Sequence, residues 1–345
     1  MIVEEAGIRL ELPEGVFYNP VMRINRDITE ALVATLGISS YADVMAASGI
    51  RGLRIARHGV EVYLNDKSRL AYATILRNSK HLDNIKASNL DIRDFLRLYR
   101  GIEFIDLDPF GSPAEFIPLV VDYRPIYLGV TATDTANYCK YLHAGKRLYF
   151  VHLARCPCCH EIGLRIILYV LAREAAKLDM IIEPLVSYYY KHHVRVIVRL
   201  LKAGSSAIEN MLDNEIGRIR YDDQRYSIEV VEGISSGGDI GPLRINDIGN
   251  AEIIRKIIGF RRNAKETDKL LEKLLIDSRA PVGFYDLHEI ARRLHTSPIS
   301  KKKLIEIGEK HGIRLAETHF SPKALKAKSV DDVYKAFEIA SRREP

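Results

Sequence analysis

From about residue 40 onward, short apolar runs alternate with stretches in which apolar residues recur three and four positions apart. The runs predict strands at 41–48, 61–66, 85–91, 104–107 and 125–135, and the periodic stretches predict helices at 50–59, 67–82 and 92–99. Alternation of this kind builds a parallel sheet with helices on both faces, and such sheets bind ligands at the carboxyl ends of their strands. A long helix at 160–179 and two strands pairing as a hairpin at 182–204 complete the series.

Past that hairpin the periodicity fades. Residues 205–250 read as irregular, with a weak strand at 226–231 and a Gly/Ser cluster at 235–238, so a domain boundary is expected there. The expected division is a first domain over 1–240 and a smaller α+β domain over 241–345. Amphipathic helices follow at about 251–259, 263–276, 285–294 and 300–311. The last two, split by a short Ser/Pro turn, match a helix-turn-helix or winged-helix element, a pattern that any helical pair with a short turn shares.

Composition sharpens this outline. The chain has 345 residues, room for two cores. Its net charge of +6 is unevenly spread: residues 251–345 hold 21 Lys or Arg against 14 Asp or Glu, while residues 1–250 hold 30 against 31. An anionic macromolecular partner is therefore expected for the carboxy-terminal part. No apolar run nears the roughly 20 residues that span a bilayer, and the acidic, alternating amino terminus is unlike a targeting segment, so a cytoplasmic protein without membrane association is expected. Of the four cysteines, Cys156, Cys158 and Cys159 crowd into "RCPCCH" (155–160), too close together to staple separate segments, which implies a reducing compartment. The same crowding suits a tetrahedral zinc ion poorly, and no metal is expected.

Candidate chemistry gathers in the loops that end the predicted strands. "ASGIRG" (47–52) sets Gly49 and Gly52 at the opening of a helix, where close backbone approach and free amides suit an anionic group, though a plain tight turn fits too. Asp66 closes the next strand, placed to accept both hydroxyls of a ribose, while the missing G-x-G-x-x-G argues against a nicotinamide cofactor. Asp91 ends the third strand, where its carboxylate or the Ile92 backbone can read an adenine ring, or where it caps a helix. "FIDLDPFGSP" (104–113) then delivers Asp108, the carbonyl of Pro109 and Phe110 to the sheet edge. Methylating an exocyclic amine on an aromatic base needs acceptors around its protons, because the lone pair is delocalised into the ring, and an aromatic side chain that stacks on the base. Asp108, Pro109 and Phe110 supply those parts; the alternative is a helix turn capped by Asp108 with Pro113 at its first position.

"FYNPVMRINRDIT" (17–29), "ASGIRGLRIA" (47–56), "LND" (64–66), "FIDLDPFGSP", "CHEIGLRIIL" (159–168), "IEPLVSYYYKHHVRV" (182–196) and "THFSP" (318–322) follow one another as successive blocks, and on them the sequence resembles the tRNA guanine-26 N2-dimethyltransferases from about residue 15 to 325. The resemblance implies a class I S-adenosylmethionine-dependent methyltransferase fold with a Rossmann-like sheet, joined to a carboxy-terminal tRNA-binding domain. It implies methyl transfer to the exocyclic N2 amine of guanine 26 in tRNA. Carried over by motif, Arg26 and Arg51 or Arg54 would meet the cofactor's methionine carboxylate, Asp66 its ribose, and Asp91 with Ile92 its adenine. Asp108 would be the catalytic acceptor, and Phe17 and Phe110 would sandwich the guanine. Two departures stand out. The paired cysteines that many members carry after the methyltransferase domain have no counterpart, since residues 205–250 contain no Cys or His, and the family's "GPLW" reads "GPLR" at 241–244. Rival readings keep the chemistry on another nucleic-acid base, or keep the fold as a silent RNA-binding protein. No protein partner is implied.

Overall fold

The computed structural model describes residues 1–233, 238–260 and 264–341. A hairpin of β1 (Ile2–Glu5) and β2 (Ile8–Glu11) leads into helix α1 (Arg23–Leu36). The chain then alternates through β3 (Ser40–Asp43), α2 (Ile50–Ala56), β4 (Glu61–Asn65), α3 (Arg69–Ser79), β5 (Ile85–Ser88), α4 (Ile92–Leu98), β6 (Phe104–Leu107), α5 (Ile117–Asp122) and β7 (Tyr127–Ala132). Two short helices, α6 (Ala136–Cys139) and α7 (Leu142–Tyr149), precede the long α8 (Cys159–Ala176) and the hairpin β8 (Met180–Tyr190) and β9 (His193–Lys202). Seven of these strands form one sheet in the order β5-β4-β3-β6-β7-β9-β8, parallel from β5 to β7, with β9 antiparallel to both neighbours. All four residues of β6 are buried, as a strand covered on both faces requires. The chain steps one way from β3 to β5 and the other way from β6 to β7. That reversal opens a crevice between the carboxyl ends of β3 and β6.

Residues 205–250 correct the expectation of an irregular linker. They form α9 (Ser205–Asn214) and an antiparallel sheet of β10 (Ile216–Asp222), β11 (Ser227–Glu232) and β12 (Ile240–Arg244), in the order β11-β10-β12; residues 235–237 of the expected Gly/Ser cluster lie outside the described residues. Ile216, Ile219, Ile240 and Leu243 are buried in the same apolar core as α8. Charged residues on the outer face hid the strand pattern, because each strand spends few apolar residues on its inner face. A boundary between 240 and 241 would divide β12. Arg244, the departure in the "GPLR" block, is buried, and Glu215 answers it at 2.6 Å.

Helices α10 (Ala251–Ile257) and α11 (Lys265–Asp277) pack against α1 and β8 through Ile254, Ile257, Leu270 and Leu274. There follow β13 (Tyr285–Asp286), α12 (Leu287–Arg293), α13 (Lys301–His311), β14 (Ala316–Glu317), β15 (Ala324–Lys326) and α14 (Val330–Ser341), with β15 between β13 and β14 in an antiparallel sheet. Asp286 and Ser300 cap α12 and α13 through their side-chain oxygens. Among the described residues no helix is long and apolar enough to cross a membrane.

The expectation that the crowded cysteines staple nothing needs correction. Cys159 forms a disulfide with Cys139, tying α6 to the start of α8, while the buried sulfurs of Cys156 and Cys158 face each other at 2.6 Å. His160 Nδ1 lies 3.5 Å from the Cys139 sulfur, so three potential metal donors meet here, but two of them are bonded to each other.

A buried ionic cluster joins the two halves of the chain. Lys326 of β15 pairs with Glu161 of α8 at 2.7 Å and with Asp277 of α11 at 3.1 Å. Asp277 also accepts from the Thr318 hydroxyl at 2.8 Å, from the His319 amide at 3.0 Å and from His319 Nδ1 at 2.5 Å. The other ring nitrogen, Nε2, accepts the Tyr189 amide of β8 at 3.2 Å, which fixes the tautomer. Burial pushes the Asp277 carboxyl up, but Lys326 and His319 overcome it and hold it far below the ordinary carboxylate range. Truncation would take one of its two carboxylates from the buried Lys326 cation and leave the Thr318 hydroxyl and His319 Nδ1 without their acceptor, so Asp277→Ala is expected to cost about 3–5 kcal/mol of stability in urea unfolding; a loss below about 1 kcal/mol would show that the cluster is not holding the halves together.

Candidate active site

The crevice at the switch point is a cleft of about 460 Å³. Strand β3 ends at Asp43 on its floor, and the turn that follows enters α2 through Gly49, which takes a left-handed φ of 76° that glycine tolerates best. Gly52, one turn into α2, serves packing rather than ligand approach: a Cβ there would collide with Leu64 and Val62 of β4. Asp66, just past β4, accepts the amides of Ala47 and Ser68, both at 2.8 Å, and so locks the Gly49 loop beside it. Asp91 does cap α4, accepting the Arg93 amide at 2.9 Å, yet it and Ile92 also line the cleft. At the opposite wall β6 delivers Asp108, Pro109 and Phe110.

One guanidinium dominates the electrostatics. Arg51 donates to Asp106 at 3.0 Å, approaches Asp43 at 3.5 Å, and makes a short ion pair with Asp108. Asp106, wholly buried, takes a second guanidinium from Arg195, with both bonds at 2.7 Å, and the Tyr41 hydroxyl at 2.8 Å. Burial opposes ionisation of Asp106, but Arg195 and Arg51 win and hold it below the ordinary value. Asp43 fares differently. Burial pushes it up to about 7, because its share of Arg51 does not outweigh that cost and the repulsion from Asp106 and Asp108.

Of the residues singled out by sequence, the cleft gathers Phe17, Arg26, Arg51, Asp66, Asp91, Ile92, Asp108, Pro109 and Phe110. Arg54 is the correction. Its side chain has no exposed surface and is saturated by Glu5, Asp27 and Glu30, away from the cleft. Arg54 lies three positions after Arg51, a spacing that keeps the two on neighbouring faces of α2, and it is the packing of α2 against α1 and β2 that takes Arg54 away from the cleft. Arg26 lines the cleft while bound to Glu5 at 2.7 and 2.5 Å. Burial pushes Glu5 up, yet Arg26 and Arg54 bring it down to about 2, so the amino-terminal hairpin is docked by charge. Phe17 and Phe110, both exposed, meet edge to face at 4.8 Å and 82°, a closed pair rather than an open sandwich.

The chain is similar to known proteins along most of its length. The family model for N2,N2-dimethylguanosine tRNA methyltransferase matches residues 1–337. The chain belongs to that family. A tRNA (guanine(26)-N(2))-dimethyltransferase from Pyrococcus furiosus is 34% identical, with 92% of this chain and 91% of the relative covered. Another, from Archaeoglobus fulgidus, is 31% identical over 96% of this chain and 97% of its own. The solved structure of Trm1 from Pyrococcus horikoshii in complex with S-adenosyl-L-methionine superposes with a TM-score of 0.90 at 32% identity, covering 97% of this chain and 98% of that one. That structure shares the architecture along nearly the whole chain, carboxy-terminal part included.

Asp43, Thr133 and His192 also line the cleft, and sequence reasoning missed all three. Asp43 carries the one signal that was available, since it ends a strand just as Asp66 and Asp108 follow theirs. Thr133 and His192 reach the cleft from the turn after β7 and the β8–β9 turn, a convergence visible only in the fold.

Asp43 gives a pH test. Its folded value of about 7 lies above that of an unfolded aspartate, about 4, so the stability it lends is full below pH 4 and is lost as pH rises through 7. Urea unfolding of Asp43→Asn against the parent is expected to shift in the variant's favour by about 2 kcal/mol between pH 5 and pH 8. A difference independent of pH would contradict the assignment.

Proposed function

We propose that this protein transfers methyl groups from S-adenosylmethionine to the exocyclic N2 amine of guanine 26 in tRNA, giving N2,N2-dimethylguanosine. Membership in the family supports the reaction, and the observation that carries it at the level of residues is the wall formed by Asp108, Pro109 and Phe110 across the switch-point cleft from Phe17. We place the enzyme in the cytoplasm with its substrate.

The cleft suits a nucleoside cofactor. Asp66 retains lone pairs beyond the two it gives to backbone amides and is assigned the ribose hydroxyls; Asp91 and Ile92 are assigned the adenine. Arg26 is assigned the methionine carboxylate, since Arg51 is committed to three carboxylates. Bound there, the cofactor supplies an electrophilic methyl group on a sulfonium.

The protein's own task is to make a poor nucleophile ready. Phe17 and Phe110 part from their edge contact and take the extruded guanine between them, stacking worth about 1–3 kcal/mol per base against the cost of unstacking it from the tRNA. Asp108 and the Pro109 carbonyl accept the two amine protons, drawing the lone pair out of conjugation and toward the methyl carbon. The new N–C bond forms as the C–S bond breaks, the sulfonium leaves as a neutral thioether, and one amine proton departs through Asp108. A second cofactor and a second pass give the dimethylated base. Residues 241–345, with their positive balance and the strand–helix–helix–strand–strand order of a winged helix, are assigned to the tRNA phosphates.

The test is incubation with methyl-labelled S-adenosylmethionine and an unmodified tRNA transcript, followed by digestion to nucleosides. Dimethylguanosine is expected, lost when guanine 26 is replaced by adenine, with Asp108→Asn slowing single-turnover transfer at least 100-fold, the loss typical of a proton acceptor. Incorporation into another base, or an Asp108→Asn variant as fast as the parent, would overturn the reading.

A further inference from the structure

We infer that the α6–α7 hairpin and its following loop, residues 135–160, form a second tRNA-docking platform beside the cleft, separate from the carboxy-terminal region. The inference rests on the reading that the substrate is tRNA and names where that substrate is held.

Three observations carry it. Residues 135–160 contain four Lys or Arg, three His and no Asp or Glu, a concentration hidden by the near-neutral balance of residues 1–250. Lys140, Arg147 and Arg155 are exposed, Lys146 is half-exposed, and none of the four pairs with a carboxylate among the described residues, although ion pairs are common elsewhere on this surface. Unanswered cations at such density call for an anion. Aromatic rings are interleaved with them: Tyr141 is 56% exposed and Phe150 is 76% exposed. Phe150 ends α7 in a left-handed conformation, φ 55°, with its amide bonded to the Lys146 carbonyl at 2.9 Å, and this turn leaves its ring in solvent. Cations interleaved with exposed rings are the surface that single-stranded and unstacked nucleotides select; an acidic protein would use the cations and leave the rings in water.

The hairpin is also held rigidly and close to the reacting base. The Cys139–Cys159 disulfide pins its start, and paired backbone hydrogen bonds between His152 and Gly241, at 2.7 and 2.9 Å, pin its end. In between, the Tyr149 hydroxyl lies 2.9 Å from the Ser112 hydroxyl and donates to Asp134 at 2.9 Å, joining α7 to the loop that carries Phe110. Phe150 is the next residue along the chain. Stacking on its ring would hold a nucleotide near the extruded guanine, with the neighbouring cations on the flanking phosphates.

The experiment measures tRNA affinity of the full-length protein by filter binding across a salt series, for the parent, for the Arg147→Glu/Arg155→Glu pair and for Phe150→Ala, with S-adenosylmethionine affinity and thermal unfolding alongside. The charge pair is expected to weaken tRNA binding at least tenfold and to lower the salt slope by about two, since each phosphate contact contributes close to one. Phe150→Ala is expected to weaken binding about tenfold with the slope unchanged. Cofactor affinity and unfolding should match the parent. Parental tRNA affinity and slope in both variants would overturn the platform. A parent protein that bound cofactor but no tRNA would instead overturn the substrate reading on which the platform depends.

Discussion

Arg51 is the interaction on which the site depends. One buried guanidinium answers Asp43, Asp106 and Asp108, and Arg195 helps with only one of the three. Buried carboxylates at this spacing repel one another and resist ionisation, so without Arg51 the ends of β3 and β6 could not approach as they do. The same contact fixes Asp108, the residue assigned to the amine. On the proposed reading, structural necessity and chemistry converge on a single side chain, and its three carboxylates leave Arg51 poorly free for a cofactor carboxylate.

The sheet was legible because its strands are buried on both faces and read as plain apolar runs, "FIDL" above all. The strand-end carboxylates Asp66, Asp91 and Asp108 were legible too, since a parallel sheet sends every such position to one edge. Of the small sheet only β11 was legible, as the strand expected at 226–231; β10 and β12 were not, since each buries few apolar residues and carries charge elsewhere. Nor could spacing separate Arg51 from Arg54. Both sit on one helix, and only the packing of α2 between the sheet, α1 and the amino-terminal hairpin decides which of them reaches the cleft. Cys139 escaped notice for a similar reason, as its partner lies 20 residues away and is brought near by the fold of α6 onto α8.

Charge tells a comparable story at larger scale. The positive excess of the carboxy-terminal quarter is visible in a residue count, but the acid-free stretch at 135–160 disappears in the average of the first 250 residues. The Lys326–Glu161–Asp277 cluster then ties the carboxy-terminal strands to α8, the helix whose start is bonded to α6. Both basic stretches are thereby tied to α8.

The most direct test of this account is a double-mutant cycle on the single-turnover rate of methyl transfer, with Arg51→Gln, Asp108→Asn and the pair combined. If Arg51 acts by holding Asp108 in place, the double variant is no slower than the slower single one. Losses that simply multiply would show that the two residues act independently, and that the Arg51 cluster serves the fold without serving the chemistry.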